Sequence, residues 1–314
     1  MASVPFSEYP RDLAGYGRDP PDPRWPGNAR VAVQFVVNFE EGGENNVLHG
    51  DKASEAFLAD VLGAQPWVGQ RHMNVESMFE YGSRAGFWRL WRIFTMRQIP
   101  VTVFGIAVAL ARNPQVVAAM REANWDIASH GLRWIDYKDF SRADEKAHMR
   151  EAIRIHTEAV GGRPVGWYTG RTSEHTLKLV LEDGGFLYSS DSYADDLPYW
   201  VKSAKGPHLI VPYSLDANDM RFINPQGFGE AEEFFVYLRD TFDILYGEGA
   251  TKPKMMSIGL HCRLAGRPGR AAGLVRFLDH ISKFDRVWPA TRLEIAQHWH
   301  REHIALAANA PVVA

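Results

Sequence analysis

An α/β fold follows from three observations in the 314-residue chain. Strand-like and helix-like segments alternate over most of its length. No G-x-G-x-x-G phosphate loop follows the first strand, where the sequence reads "EEGGENN" instead. Side chains of catalytic type sit at the C-terminal tips of several expected strands. The alternation alone suits a doubly wound sheet or a closed β/α barrel. The missing glycine loop weighs against nucleotide binding, and the polar tips favour a barrel, because there such tips converge on one mouth.

The elements justify this in order. "VAVQFVVNF" (31–39) is an unbroken apolar run of strand length. "GFWRLWRIFTMRQ" (86–98) sets Phe87, Leu90, Trp91 and Phe94 at helical spacing, and "VTVFGI" (101–106) is the next strand. "NPQVVAAMREAN" (113–124) is a helix with Asn113 as cap and Pro114 at its first position. "WDIAS" (125–129) is a strand; Ser141 then opens a long helix that stops at Gly161 and Gly162. "PVGWYT" (164–169), "FLYSSD" (186–191), "HLIVPY" (208–213) and "KMMSIGLH" (254–261) are strands. Helices separate most of them: 174–185, a segment from Gly229 to Gly249, and "AGLVRFLDHISKF". "RVWPA" is a short strand and "TRLEIAQHWHREHI" the closing helix.

Residues 1–29 carry "RDPPDPRWPGN" and read as an irregular arm; residues 30–314 are expected to form one catalytic barrel. The chain is 46% hydrophobic, enough for one large core, and its net charge of −3 comes from interspersed charges without a basic block. Neither a nucleic-acid partner nor an anionic membrane is expected. The single cysteine, Cys262, precludes an intrachain disulfide. With no basic-then-apolar leader and no long apolar run, the expected location is the cytoplasm.

The chemistry collects at the tips. Glu40 and Glu41 follow the first strand, and Ser129 and His130 follow "WDIA". Tyr168 and Arg171 follow "PVGW", Asp191, Asp195 and Asp196 follow "FLYSS", and His261 follows "MMSIGL". Each has a plainer reading: a solvated glutamate turn, a hydrogen-bonded structural histidine, a "DSYADD" loop held by Asx turns. Trp125, Trp134 and Trp167 read first as core. His298, His300 and His303 have metal-like spacing but read as surface residues of a polar terminal helix. Cys262 reads as a small buried side chain.

The ordered set resembles the polysaccharide deacetylase (NodB-homology) family. "NFEEG" (38–42) stands where that family has T-F-D-D-G, and "SHGLRW" supplies His130, with Trp134 where a second histidine is sought. "GWYTGR" (166–171) matches the motif with an arginine, "DSYADDLPYW" (191–200) the Asp–Trp motif, and "SIGLH" the closing L-x-L-H. The resemblance implies a distorted (β/α)7 barrel over roughly residues 30–300. The family's metal enzymes bind a zinc-like ion through Asp, His and His. Here Glu41 and His130 hold two of those places and Trp134, whose indole offers no lone pair, the third. A catalytic zinc needs three protein ligands, so no metal and no other cofactor is expected.

These departures are similar to the family's metal-independent allantoinase branch, which opens the hydantoin ring of allantoin to allantoate and is typically a homo-oligomer, a tetramer by expectation. That likeness implies catalytic roles for Glu40, Glu41, His130 and His261, with Glu40 in the position of the family's base. Trp134, Tyr168, Arg171, Asp191, Asp195 and Asp196 would contact substrate. A hydantoin nitrogen between two carbonyls is a better leaving group than an acetamide nitrogen, so ring opening demands less of the catalyst. Two alternatives stand: a metal-dependent deacetylase of peptidoglycan- or chitin-type sugar, and a barrel that only binds a ligand.

Overall fold

In the computed structural model, which describes residues 11–311 apart from Leu62 and Pro225, nine strands form one curled sheet. β1 (Val31–Phe39) lies near its centre. On one side follow β2 (Thr102–Gly105), β3 (Asp126–Ser129), β4 (Gly166–Trp167), β5 (Tyr188–Ser189), then β7 (Gly206–Ile210) and β6 (Tyr199–Ser203). On the other side lies β8 (Lys254–His261), and β9 (Val287–Pro289) takes the early part of β1. Every pairing is parallel except β6 with β7. β6 and β8 end the ladder, and Ala217 and Asn218 run beside β8 at Gly259 in the gap between them.

All nine residues of β1 are buried, as a strand covered on both faces should be. Its alternation divides the molecule. Val31, Val33, Phe35, Val37 and Phe39 pack outward, Phe35 and Phe39 against α2 (Phe87–Thr95) and Phe35 also against α8 (Pro268–Ile281). Ala32 and Val36 face a second cluster with Phe104, Tyr168, Tyr188 and Tyr213 that fills the lumen. The parity carries Asn38 and Glu40 inward at the top of β1. On β8 the odd residues face in: Met255 and Ser257 approach Gln34 and Arg292, and His261 ends the series.

The remaining helices are α1 (Met73–Tyr81), α3 (Ala107–Arg112), α4 (Pro114–Glu122), α5 (Arg142–Val160), α6 (Thr176–Asp183), α7 (Ala231–Glu248) and α9 (Arg292–His303). Asn113 and Ser141 cap α4 and α5 as expected, and α5 ends at the left-handed Gly161. Helices α1 and α3 and strand β6 were not anticipated. Between α1 and α2 a π-helical turn, Gly82–Gly86, replaces regular helix. No helix among the described residues is long and apolar enough to cross a membrane.

One expectation needs correction. His298 and His303 are buried, not on the surface: both Nε2 atoms bond the Pro23 carbonyl, at 2.7 and 3.0 Å, while half-buried His300 reaches the Leu187 carbonyl at 3.1 Å. The polar composition of α9 concealed that the arm covers it. From residue 11 the arm is irregular apart from a turn at Pro26–Asn28, but Trp25 is buried against Trp288, His298 and Trp299. Residues 1–10 of the arm lie outside the described chain.

Candidate active site

The top of β1 sets the site. Glu40 completes the inward series and is fully buried. Its Oε1 lies 3.2 Å from His130 Nε2 and 3.6 Å from His261 Nε2, while Oε2 accepts from Arg263 Nη1 at 2.7 Å. Glu41, of opposite parity, would leave the lumen if the strand ran on. A turn closed by Gly43 N to Glu40 O at 2.8 Å, with Gly42 at φ 90°, ends the strand there. Glu41 Oε2 then folds back onto the Glu40 amide at 3.0 Å, and Oε1 comes within 3.9 Å of Arg263 Nη1. The carboxylate fits because Gly82 has no side chain; a Cβ there would collide with it. The π-turn that carries Gly82 thus shapes the site, a common place for such bulges.

His130 follows β3 and continues its ladder, donating its amide to the Gly105 carbonyl at 2.9 Å. Its ring lies against Phe104 and Tyr168. His261 ends β8 and is gripped by a residue the sequence reading missed. Asp219, fully buried, accepts from His261 Nδ1 at 2.6 Å, from the His261 amide at 2.7 Å and from the Ala265 amide at 2.8 Å. This fixes the proton on Nδ1 and aims Nε2 at Glu40. Arg263, also missed, stands two residues past His261, in the turn that follows β8. Asp219 had no local signal, because it lies on a short 3-10 turn (Asp219–Ile223) after a loop that only the fold brings to β8.

The electrostatics separate the carboxylates. Burial would raise Glu40, but Arg263, His261 and His130 outweigh it and hold the carboxyl well below the usual range. Glu41 is pushed up to about 7 by burial, with Glu40's charge adding and Arg263 opposing. For His261, burial favours the neutral ring, but Glu40 and Asp219 prevail and raise it. Glu40 is therefore a fixed anion, Glu41 exchanges a proton near neutrality, and His261 is biased toward the cation.

The other expected residues divide. Trp134 is buried and stacks with Phe57; Arg171 lies 4.0 Å and Arg263 4.8 Å from its ring centre. Tyr168 stacks on Phe104 at 4.5 Å beside His130, and its hydroxyl meets that of Tyr193 at 3.0 Å. Arg171 pairs with Glu55 at 3.4 Å. Asp191 is occupied by backbone, accepting from Thr169 N at 2.9 Å and Gly170 N at 2.7 Å; burial raises it to about 6 against those amides. Asp195 and Asp196 are not part of the cluster. Asp195 Oδ1 accepts from Leu197 N at 3.0 Å, and the Asp196 carbonyl accepts from Met255 N at 3.0 Å, at the start of β8. His261 ends that strand, about 20 Å further along at ~3.3 Å per residue. The loop after β5 returns to the far end of the barrel before β6 begins, which strand-tip reasoning could not foresee.

An open cleft of about 430 Å3 reaches Glu41 between Gly42, Glu44, His49, Phe79 and Arg112, a volume suited to a small molecule. In the cluster beneath it, Glu41 Oε1, His130 Nδ1 and Arg263 Nη2 are buried polar atoms without hydrogen-bond partners, and of these residues Glu41 lines the cleft. The donors do not fit a catalytic zinc. Trp134, whose indole offers no lone pair, packs near Arg263, His130 turns Nε2 to Glu40 rather than toward Glu41, and a guanidinium already faces both glutamates. Among the described residues no three Asp, Glu, His or Cys side chains converge as a metal requires.

Residues 70–185 match the polysaccharide deacetylase family. A Schizosaccharomyces pombe relative named for the polysaccharide deacetylases is 44% identical over 313 residues, covering 93% of this chain and 98% of its own. A solved Pseudomonas aeruginosa structure, likewise named for those deacetylases, is 61% identical with a TM-score of 0.93, over 94% of this chain and 99% of that one. The structure of the allantoinase Puue is 57% identical with a TM-score of 0.93, over 94% of this chain and 98% of its own.

Proposed function

This chain belongs to the polysaccharide deacetylase family of hydrolases, and we propose that within it the protein opens the ring of a cyclic amide, allantoin, to give allantoate without a metal ion. The observation that carries the reading is the buried Arg263 guanidinium, which supplies a cation at the carboxylate–histidine cluster, packed near an indole, Trp134, that cannot ligate a metal. The 57% identity to the allantoinase Puue supports it.

Hydrolysis adds water across one C–N bond. Glu41, rather than Glu40 in the family's base position, takes a proton as water oxygen attacks the ring carbonyl, the proton exchange its raised pKa suits. Glu40, held ionised, keeps His130 and His261 in place. The carbonyl pair moves onto oxygen and returns as the C–N bond breaks. His261 Nε2 gives its proton to the departing nitrogen, with Asp219 stabilising the imidazolium through Nδ1. The acid formed ionises, so one allantoin and one water yield allantoate and a proton. Trp134 and Tyr168, buried and stacked on Phe57 and Phe104, wall the cluster with apolar surface that limits water. A homo-oligomer remains part of this reading.

The test is turnover: purified protein with allantoin, following ring loss and allantoate gain by 13C NMR. Stoichiometric conversion supports the proposal. No conversion of allantoin, combined with release of acetate from an N-acetylated sugar oligomer, rejects it in favour of deacetylation.

A further inference from the structure

Arg263 is assigned no role by the sequence motifs, yet it is the most constrained side chain of the site. Its Nε donates to the Leu58 carbonyl at 3.1 Å and its Nη1 to Glu40 at 2.7 Å. Its plane lies over Phe79, 4.2 Å from the ring centre, and 4.8 Å from that of Trp134. The side chain is 1% exposed. Two of its three nitrogens are thus committed and the head is immobilised. The third, Nη2, is buried with no acceptor, on a residue that also faces Glu41 Oε1 at 3.9 Å. A counterion for Glu40 needs only Nη1. Burying a further N–H without an acceptor costs stability, and the Glu41 oxygen that Nη1 faces at 3.9 Å is likewise unpartnered.

We infer that Arg263 is a catalytic residue: Nη2 donates to the oxygen of the attacked carbonyl and holds the negative charge that develops there. This rests on the ring-opening reading. As water oxygen bonds to the carbonyl carbon, the π pair moves onto oxygen and the anion forms against Nη2. When the pair returns, the C–N bond breaks and nitrogen takes its proton from His261. The donor is preorganised, since Leu58, Glu40, Phe79 and Trp134 fix the guanidinium before substrate arrives. A planar fork can hold Glu40 on one nitrogen and the substrate on another, which a lysine ammonium, as a point charge, cannot reproduce.

The experiment compares wild type, Arg263→Lys and Arg263→Ala, the last with and without added guanidinium chloride below denaturing concentration. Allantoin turnover and binding of hydantoin by calorimetry are both read, with thermal melting as a check on folding. Arg263→Lys is expected to melt near wild type and lose ~10²- to 10³-fold in kcat, the usual loss on removing one oxyanion donor. Arg263→Ala should recover at least tenfold with guanidinium and not with sodium chloride at equal ionic strength. Arg263→Lys within threefold of wild-type kcat overturns the assignment while leaving the ring-opening reading intact. So does a folded Arg263→Ala with unchanged kcat and only a higher KM. Wild type that neither binds hydantoin nor opens allantoin overturns both.

Discussion

Among the described residues two guanidiniums lie fully buried in this barrel, and they live differently. Arg292 opens α9 and sits in the lower lumen. Its Nε and Nη2 donate to Ser190 Oγ at 3.1 and 2.9 Å, and its Nη1 to Gln34 Oε1 at 2.7 Å and Ser257 Oγ at 3.1 Å; Nη2 also reaches the carbonyls of Val211 and Pro212. Every nitrogen has an acceptor, and each acceptor is neutral. Arg263, at the mouth, has two carboxylates and a nitrogen with none. The lower arginine is complete as it stands, a polar pin through a lumen of aromatic rings. The upper one is complete only when something else is bound. The residue type is shared; the satisfaction of its hydrogen bonds separates structure from chemistry.

The largest effect that would sharpen this contrast lies at the mouth. His261→Gln should reduce kcat ~10²- to 10⁴-fold, with circular dichroism and thermal melting close to wild type. A loss under tenfold would remove His261 as the acid. Next comes the lower arginine. Arg292→Met strands several buried acceptors and should cost about 3 kcal/mol or more of stability, read from the urea midpoint. Turnover per folded molecule should stay within about threefold; a large loss there would erase the distinction between the two arginines.

The pH dependence of Glu41 gives a middle-sized test. Its carboxyl rises from 4.5 to about 7 on folding. Between those values the folded chain holds a proton that the unfolded chain has lost, so this group's contribution to stability falls as pH rises through the window. The ionised form is the base, so kcat/KM should climb with pH and level off above about 7. Glu41→Gln should flatten the stability trend, and what activity remains should lack the climb. A profile in the variant identical to wild type would shift the base to another group. The smallest effect belongs to the far end of the barrel: Asp195→Asn and Asp196→Asn should leave kcat/KM within about threefold. A tenfold rise in KM for either would return them to the substrate site.

The same contrast explains what could be read from the chain. β1 and β8 begin and end as the apolar runs 31–39 and 254–261 indicate, because both are buried on two faces and leave no ambiguity of period. Strand parity then places Glu40, His130 and His261 in one lumen without any structure. It fails where local rules stop. Glu41 joins the cluster through a turn and a notch at Gly82, far along the chain. Asp219 arrives from a loop, and Asp195 and Asp196 depart along one. The buried histidines of α9 depend on the arm that covers them, and helix periodicity carries no record of that cover. β6 was hidden because its five residues are short and run on directly from the acidic loop, although Tyr199, Trp200 and Val201 favour a strand.

If fixed protein charge stands in for a metal at this mouth, allantoin turnover should survive exhaustive chelation. With the metal content of the same sample measured, activity should stay full at far less than one metal per chain and gain nothing when zinc, cobalt or manganese is restored. Activity lost on chelation and regained with stoichiometric divalent ion would show that a metal does the work.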